Sequence, residues 1–297
     1  MIVLGGGTGT PKLLLGLKEL LAPEKLSVVV NTAEDAWISG NLVTPDIDTV
    51  LYALAGIADE EKWWGIKGDS FKTHEFLHSL GIEELLALGD RDRAVHIFRS
   101  NLIRRGASLS SAIDALAGAL SIKQKVVPMT DDPVSTMIKT PSGEMHFQDY
   151  WVGQRGMPEV LSLRLKGIED ARPSPGFLEL LGREDVVLLG PSNPVTSIGP
   201  ILALPGVRER LKKKIVVAVS PLVGDRPVSG PAAKFMAACG VPADDEGVRS
   251  LLGKVDIFVV DEKSSYQGDC VRMSTLMRTR EESREVAEGL LKLIKCA

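Results

Sequence analysis

The run Gly5-Gly6-Gly7-Thr8-Gly9-Thr10-Pro11-Lys12 follows a short apolar stretch, Ile2-Val3-Leu4, and Leu13, Leu14, Leu17 and Leu21 then recur on one helix face. A strand that turns on glycines into a helix builds an anion site. Small residues let the backbone approach a phosphate, and the helix N-terminus aims N–H groups at it. Thr8 and Thr10 add hydroxyl donors and Lys12 adds a charge. The pattern matches neither standard phosphate fingerprint. A dinucleotide loop would place its third glycine at position 10, which is Thr10, and a P-loop needs Gly-Lys-Ser/Thr where Pro11 precedes Lys12. The loop therefore predicts a phosphate-bearing ligand of unspecified type. A turn that merely closes a crossover would not need the threonines and the lysine.

Two acidic clusters follow: Glu34-Asp35, and Asp46 with Asp48 in Pro45-Asp46-Ile47-Asp48-Thr49. Magnesium takes one or two carboxylates plus phosphate oxygens, so acids beside a phosphate cradle suit it. Asp48, Glu34 and Asp35 are the expected metal ligands, and Asp46 and Asp48 the expected catalytic acids. The structural alternative is that Asp46 or Asp48 caps a helix opening at Thr49. In Leu88-Gly89-Asp90-Arg91-Asp92-Arg93 an arginine fork can hold an anion or a ring while aspartates fix it; surface ion pairs at a helix start are the alternative.

A second turn, Gly190-Pro191-Ser192-Asn193-Pro194-Val195-Thr196-Ser197-Ile198-Gly199, suits another phosphate or a base edge. Ser220 to Gly230 repeats the arrangement after the next apolar run. His74-Glu75-Phe76-Leu77-His78 matches the zinc-protease pattern, but the third ligand position holds Glu84. A structural helix with Phe76, Leu77 and Leu80 packed inward is expected there. His96 and His146 are isolated and read as structural. Among Trp37, Trp63, Trp64, Tyr150 and Trp151 most should be core, with one or two lining a pocket for a flat ring.

The elements that must position these residues are legible as short aliphatic runs: Ile2–Leu4, Leu26–Asn31, Val186–Leu189, Ile215–Val219 and Ile257–Val260. Their continuous apolarity fits strands buried on both faces, and helical stretches between them suggest βαβ units. The fold class is α/β, a Rossmann-like, mostly parallel sheet. One domain over 1–297 is expected, with a helical insertion over about 60–122 and a β insertion over about 126–170 that holds a hairpin through Pro141–Glu144. Pro173-Ser174-Pro175 marks the return to the core. A last helix over about 281–295 carries Val286, Leu290, Leu291 and Ile294 toward the sheet.

The chain has 297 residues, and its net charge of -4 gives no electrostatic case for nucleic acid. Lys212-Lys213-Lys214 reads as a solvated helix end. Three cysteines without metal spacing fit a reducing cytoplasm. Met1 runs straight into the first strand, so no signal peptide is expected, and no apolar run reaches the ~20 residues of a membrane span.

The ordered set of motifs resembles the 2-phospho-L-lactate transferase family of deazaflavin coenzyme biosynthesis. It rests on Gly5–Lys12, Glu34–Trp37, Pro45–Thr49, Leu88–Asp92, His146–Gln148 and Gly190–Pro194 through Ser197–Ile201. The resemblance implies transfer of a phospholactyl, or phosphoenolpyruvyl, group from a guanosine-diphosphate-linked donor. The acceptor would be the ribityl hydroxyl of 7,8-didemethyl-8-hydroxy-5-deazariboflavin, with release of GMP and with Mg2+ as cofactor. By resemblance Asp48, Asp90 and Arg91 meet the deazaflavin, with Asp48, Asp46 and Arg91 catalytic. The nucleotide would meet Gly7, Thr8, Gly9, Thr10, Lys12, Ser192, Asn193, Ser197 and Gly199. Related regulatory proteins that bind a nucleotide-sugar share the glycine-rich opening but are not expected to carry Leu88–Asp92. The oligomeric state stays open, with a homodimer the common arrangement for such folds.

Overall fold

Short apolar runs alternate with amphipathic stretches, and each run foreseen above becomes a strand. The computed structural model describes residues 1–227 and 231–296, so Ser229-Gly230, at the end of the third turn, lies outside the described residues. β1 (Ile2–Gly5) leads into α1 (Gly9–Leu20), and β2 (Ser27–Val30) into a small hairpin of β3 (Ala36–Ile38) and β4 (Asn41–Val43). Next come α2 (Pro45–Ala55), α3 (Lys72–Ser79), α4 (Asp90–Arg104), α5 (Leu109–Ala119) and β5 (Lys125–Pro128). β6 (Ser135–Thr140), β7 (Gly143–His146) and β8 (Ser162–Lys166) follow. The chain continues with α6 (Pro175–Arg183), β9 (Val186–Leu189), α7 (Ile198–Ala203), α8 (Val207–Leu211) and β10 (Ile215–Val219). It ends with the hairpin β11 (Leu222–Val223) and β12 (Arg226–Pro227), then α9 (Ala232–Ala238), α10 (Asp245–Leu252), β13 (Ile257–Asp261), β14 (Val271–Met273) and α11 (Arg280–Cys296).

Seven strands form one parallel sheet in the order β14-β13-β10-β9-β1-β2-β5. From β1 the chain builds toward β2 and β5; from β9 it builds the other way, toward β10, β13 and β14. The reversal falls between β1 and β9, which pair in register Ile2↔Val187 to Leu4↔Leu189. A crevice opens beyond the strand ends at such a switch point. Side chains alternate across the sheet. Ile2 and Leu4 pack with Phe177, Ile201 and Val248 on one face, and Val3 packs with Leu13, Leu17, Ile113 and Val286 on the other.

Three elements depart from the sequence reading. Lys125–Pro128, placed within the β insertion, is the sheet's edge strand beside β2. Helix α5, at the end of the helical insertion, packs Ile113 and Leu116 into the sheet's own layer. Val271–Met273 forms the opposite edge, too short and too exposed to show as an apolar run. The β insertion is a three-stranded antiparallel sheet with β6 between β7 and β8, and the hairpin turn falls at Pro141-Ser142. Ser174 caps α6 through Phe177 N at 3.3 Å, where the chain returns to the core. The last helix lies along α1, and Val286, Ala287 and Leu290 are its buried stripe. Among the described residues no helix is long and apolar enough to cross a membrane.

One close approach fixes the sheet edge at the crevice. Thr10 is fully buried, with its side chain lodged between Gly5 and Gly190 at the ends of β1 and β9. A Cβ on Gly190 would sit 2.1 Å from Thr10 Oγ1. Gly190→Ala should therefore cost ~1–3 kcal/mol by overpacking, and Thr10→Ala in the same chain should restore part of it. Denaturant midpoints of the two variants measure this; an unchanged midpoint in Gly190→Ala would show that the site gives way freely.

Candidate functional site

Three strand ends converge at the crevice. Gly7 has φ of 57°, a left-handed conformation open to glycine, and this turn aims its N–H at Asp46 Oδ1, 2.7 Å away. Asn31, just past β2, donates Nδ2 to Asp46 Oδ2 at 2.9 Å and to Thr196 O at 3.1 Å. Ser192, just past β9, donates to Gly6 O at 2.5 Å and lies 2.7 Å from Thr10 Oγ1. The loops after β1, β2 and β9 are thus tied to one another.

Together they floor a cavity of about 580 Å³, within the range of small-molecule sites. Gly7, Thr8, Gly9 and Lys12 line it from the first loop, and Ser192, Asn193 and Ser197 from the second. Lys12 sits 5.0 Å from the centroid of the Trp63 ring, and burial lowers its pKa. Two expected nucleotide residues do not face this space. Thr10 is the plug described above, and Gly199 lies in the first turn of α7, off the cavity lining. Ser192 and Asn193 also have structural tasks. Ser192 holds Gly6, and Asn193 Oδ1 accepts from Val195 N at 2.9 Å and Thr196 N at 3.3 Å.

The acidic wall begins at α2, which opens at Pro45 rather than Thr49. Thr44 N donates to Asp48 Oδ2 at 3.2 Å while Asp48 N donates to Thr44 O at 2.8 Å, so Asp48 does close the helix start. Its carboxylate also takes a two-pronged grip from Arg99, Nη1 to Oδ1 at 2.6 Å and Nη2 to Oδ2 at 3.0 Å. His96 Nε2 stands 3.1 Å from Asp48 Oδ2 and 3.1 Å from Asp92 Oδ1, and Tyr52 donates its hydroxyl to Asp92 Oδ1 at 2.5 Å. Burial alone would raise Asp48, but Arg99 and His96 outweigh it and hold the carboxyl well below the usual range. Burial alone would lower His96, but its bonds to Asp48 and Asp92 prevail and lift it to about 9.

His96, expected to be structural, lines the cavity instead. Asp92, His96 and Arg99 stand at i, i+4 and i+7 of α4, one charged stripe aimed at the cavity wall; that spacing was the available signal.

Asp48, Asp92 and His96 bring three potential metal-ligand atoms within 4.8 Å of one another. The set is internally paired, however. A cation there would displace the imidazole proton and compete with Arg99. Glu34, Asp35 and Asp46 are different: among the described residues none of them is ion-paired. Burial above all, then the charge of Asp46, pushes Glu34 well above the ordinary carboxylate range. Asp35 is pushed well above it by burial, against the pull of Arg99, and its Oδ1 is buried without a partner among the described residues. Burial also raises Asp46. An all-oxygen donor set of unpaired carboxylates fits magnesium better than the mixed one. The expected trio of Asp48, Glu34 and Asp35 is not assembled. Glu34 and Asp46 line the cavity, Asp48 is tied to Arg99, and Asp35 lies behind the lining.

Other expected residues lie elsewhere. Asp90 caps α3, accepting from Ser70 Oγ at 2.5 Å and Thr73 N at 2.9 Å, and these bonds hold it well below its usual value. Arg91 is exposed and donates to Lys67 O at 3.3 Å, beside the loop that carries Trp63 and Trp64, because the α4 stripe that faces inward is that of Asp92. In the zinc-like motif His74 pairs with Glu84 at 2.8 Å and His78 with Glu83 at 3.0 Å, so the two rings serve separate partners. Nor does that helix pack inward. Phe76 and Leu80 are 65% and 62% exposed, and α3 has no buried residue. Of the aromatics, Trp63, Trp64 and Trp151 line the cavity, Tyr150 is core and Trp37 is exposed. The β insertion also reaches the site: Phe147 and Gln148 line the cavity, and Gln148 Nε2 donates to Glu34 O at 3.1 Å.

A doubly wound sheet with glycine- and hydroxyl-rich turns flanking its switch point, and acids beside them, defines an α/β protein with a small-molecule site at that switch point. Residues 1–288 match the family model described as 2-phospho-L-lactate transferase CofD, and the chain belongs to that family. It is 53% identical over 302 residues to the 2-phospho-L-lactate transferase of Methanosarcina acetivorans, covering 99% of this chain and 98% of that protein. It is also 53% identical over 297 residues to that of Methanosarcina mazei, covering 97% and 98%. A crystal structure of a UPF0052-family protein from Bacillus halodurans shares the fold, with a TM-score of 0.66 over 98% of each chain at 18% identity.

The His96 cluster makes stability depend on pH. Its imidazolium is favoured in the folded chain, so its contribution is fully present below the ordinary value of 6.5 and is lost as pH rises through about 9. Denaturant unfolding from pH 6 to 10 should show that decline, and His96→Gln should flatten it. The same slope in both proteins would assign the decline to other groups.

Proposed function

We propose that the chain moves a 2-phospho-L-lactyl group, or its phosphoenolpyruvyl counterpart, from a guanosine-diphosphate-linked donor to the ribityl 5-hydroxyl of 7,8-didemethyl-8-hydroxy-5-deazariboflavin, in coenzyme F420 biosynthesis. The hydroxyl oxygen bonds to the phosphorus that carries the three-carbon acid. The bond from that phosphorus to the bridging oxygen breaks, GMP leaves, and the hydroxyl proton is lost to a base or to water. The product is a phosphodiester.

What supports this reading is one cavity that joins the Gly7–Lys12 loop, the Ser192–Ser197 turn, buried carboxylates and three tryptophans. In it Gly9, Lys12 and Asn193 would hold the diphosphate, and Trp63, Trp64 and Trp151 would face the flat acceptor ring. Asp48 would meet the acceptor's hydroxyl. Glu34 and Asp46 would hold magnesium, which when bound neutralises diphosphate charge. Arg91 would act on the acceptor through the tryptophan loop, which it ties at Lys67 O.

The test combines turnover and binding. With donor, deazaflavin and magnesium, chromatography should show GMP and phosphodiester in equal amounts, and Asp48→Asn should lower the rate at least ~100-fold. Calorimetry should show GDP binding where ADP does not, because polar groups matched to guanine are left unpaired by adenine. Tight nucleotide-sugar binding without turnover or deazaflavin affinity would instead assign the chain a regulatory role.

A further inference from the structure

We infer that His96 and Arg99 are positioning residues for the acceptor: they fix the Asp48 carboxylate in one orientation and leave it a single acceptor direction for the incoming hydroxyl. This rests on the reading of Asp48 as the carboxylate that meets the deazaflavin.

The case is one of lone pairs. A carboxylate offers about four acceptor sites, two on each oxygen. Asp48 Oδ2 receives Arg99 Nη2 at 3.0 Å, His96 Nε2 at 3.1 Å and Thr44 N at 3.2 Å, so it is full. Among the described residues Oδ1 receives only Arg99 Nη1, at 2.6 Å, which leaves it one site. Asp48 lines the cavity, and Oδ1 is the oxygen with capacity left for a ligand.

Neither partner is free to turn away. Arg99 is 0% exposed, and its Nε and Nη2 also donate to Leu42 O at 3.2 Å and 2.7 Å. His96 is 1% exposed, and its Nε2 is shared between Asp48 Oδ2 and Asp92 Oδ1, the latter held in turn by Tyr52. Buried charges of this kind often stabilise a fold less than apolar side chains of the same volume. Tyr52 roots this cluster in the core layer beside α1, but its charged members do not belong to either core layer. The cluster forms one wall of the cavity, and Tyr52, Asp92, His96 and Asp48 all contribute to the lining. A plain clamp between α2 and α4 would not need to face that space.

A double-mutant cycle decides the matter, run with the GDP-linked lactyl donor and the deazaflavin, with kcat and KM measured for each. His96→Leu should lower kcat/KM for the deazaflavin at least ~10-fold and leave the donor's KM within ~2-fold. In the cycle, His96→Leu should add little to the loss in Asp48→Asn, because both remove the same oriented group. His96→Gln, which keeps a donor nitrogen, should recover most of the rate. If His96→Leu does not fold, Arg99→Lys carries the test, since it keeps the charge, loses the fork and should show the same acceptor-only loss. GDP calorimetry establishes that each variant is folded. A harmless His96→Leu beside a crippled Asp48→Asn would overturn the inference alone, as would losses that multiply or that fall equally on donor and acceptor. Normal turnover in Asp48→Asn would instead remove the underlying reading of Asp48, and the inference with it.

Discussion

β1 and β9 lie side by side, yet the chain leaves them in opposite directions, and that divergence decides what the sheet edge can hold. Loops that would otherwise run parallel are parted, and the space between them must be closed by side chains or by a ligand. Thr10 closes the lower part, wedged between two glycines that can have no Cβ. Ser192 and Asn31 close the middle by tying the loops after β9 and β2 to Gly6 and Asp46. Above them the crevice stays open as the cavity. The glycines and hydroxyls of these turns therefore divide into two groups, those that hold the loops in register and those left to face a ligand.

The carboxylates divide in the same way. Asp48 is paired, charged and oriented by Arg99 and His96. Glu34 and Asp46 are buried and Asp35 is half-buried, none of them with a paired cation among the described residues, and desolvation works against their ionised forms. Groups so close, with proton affinities pushed in opposite directions, give a transferase two kinds of acid within one site. The difference comes from which helix face each meets. α4 brings guanidinium and imidazole to Asp48, whereas the loop after β2 brings only acids and amides.

Much of this was legible in the chain. Continuous apolar runs located β1, β2, β9, β10 and β13, because strands covered on both faces cannot alternate with polar residues. The edge strand Val271–Met273 was not legible, since an edge needs little burial. Motif residues were easier to find than to orient. Thr10 and Ser192 carry hydroxyls of the right type, but only the packed strands reveal that they face each other. Asp92, His96 and Arg99 do share one face of α4, but their partner Asp48 is about fifty residues away, so the stripe alone does not say what it meets. The histidines of α3 show the converse. A correct spacing on a helix means little when Glu83 and Glu84 draw the rings to different places.

Asp46 raises the sharpest physical question. It occupies the Gly7 N–H, the kind of donor that a phosphate would seek in a glycine turn. The loop is thus preorganised by an internal anion. A diphosphate bound beside it would stand near Asp46 and Glu34, and two unit charges at 4 Å repel by ~4 kcal/mol at an effective dielectric of 20. Lys12 offsets part of that, although burial weakens its hold on a proton. The remaining repulsion is removed only if a proton sits on one carboxyl or a divalent cation lies between carboxylate and phosphate. A glycine loop tied to its own aspartate is therefore poorly suited to bind phosphate alone. It is better suited to bind phosphate together with a proton or a divalent cation, which would link nucleotide affinity to pH or to the cation in the proposed reaction.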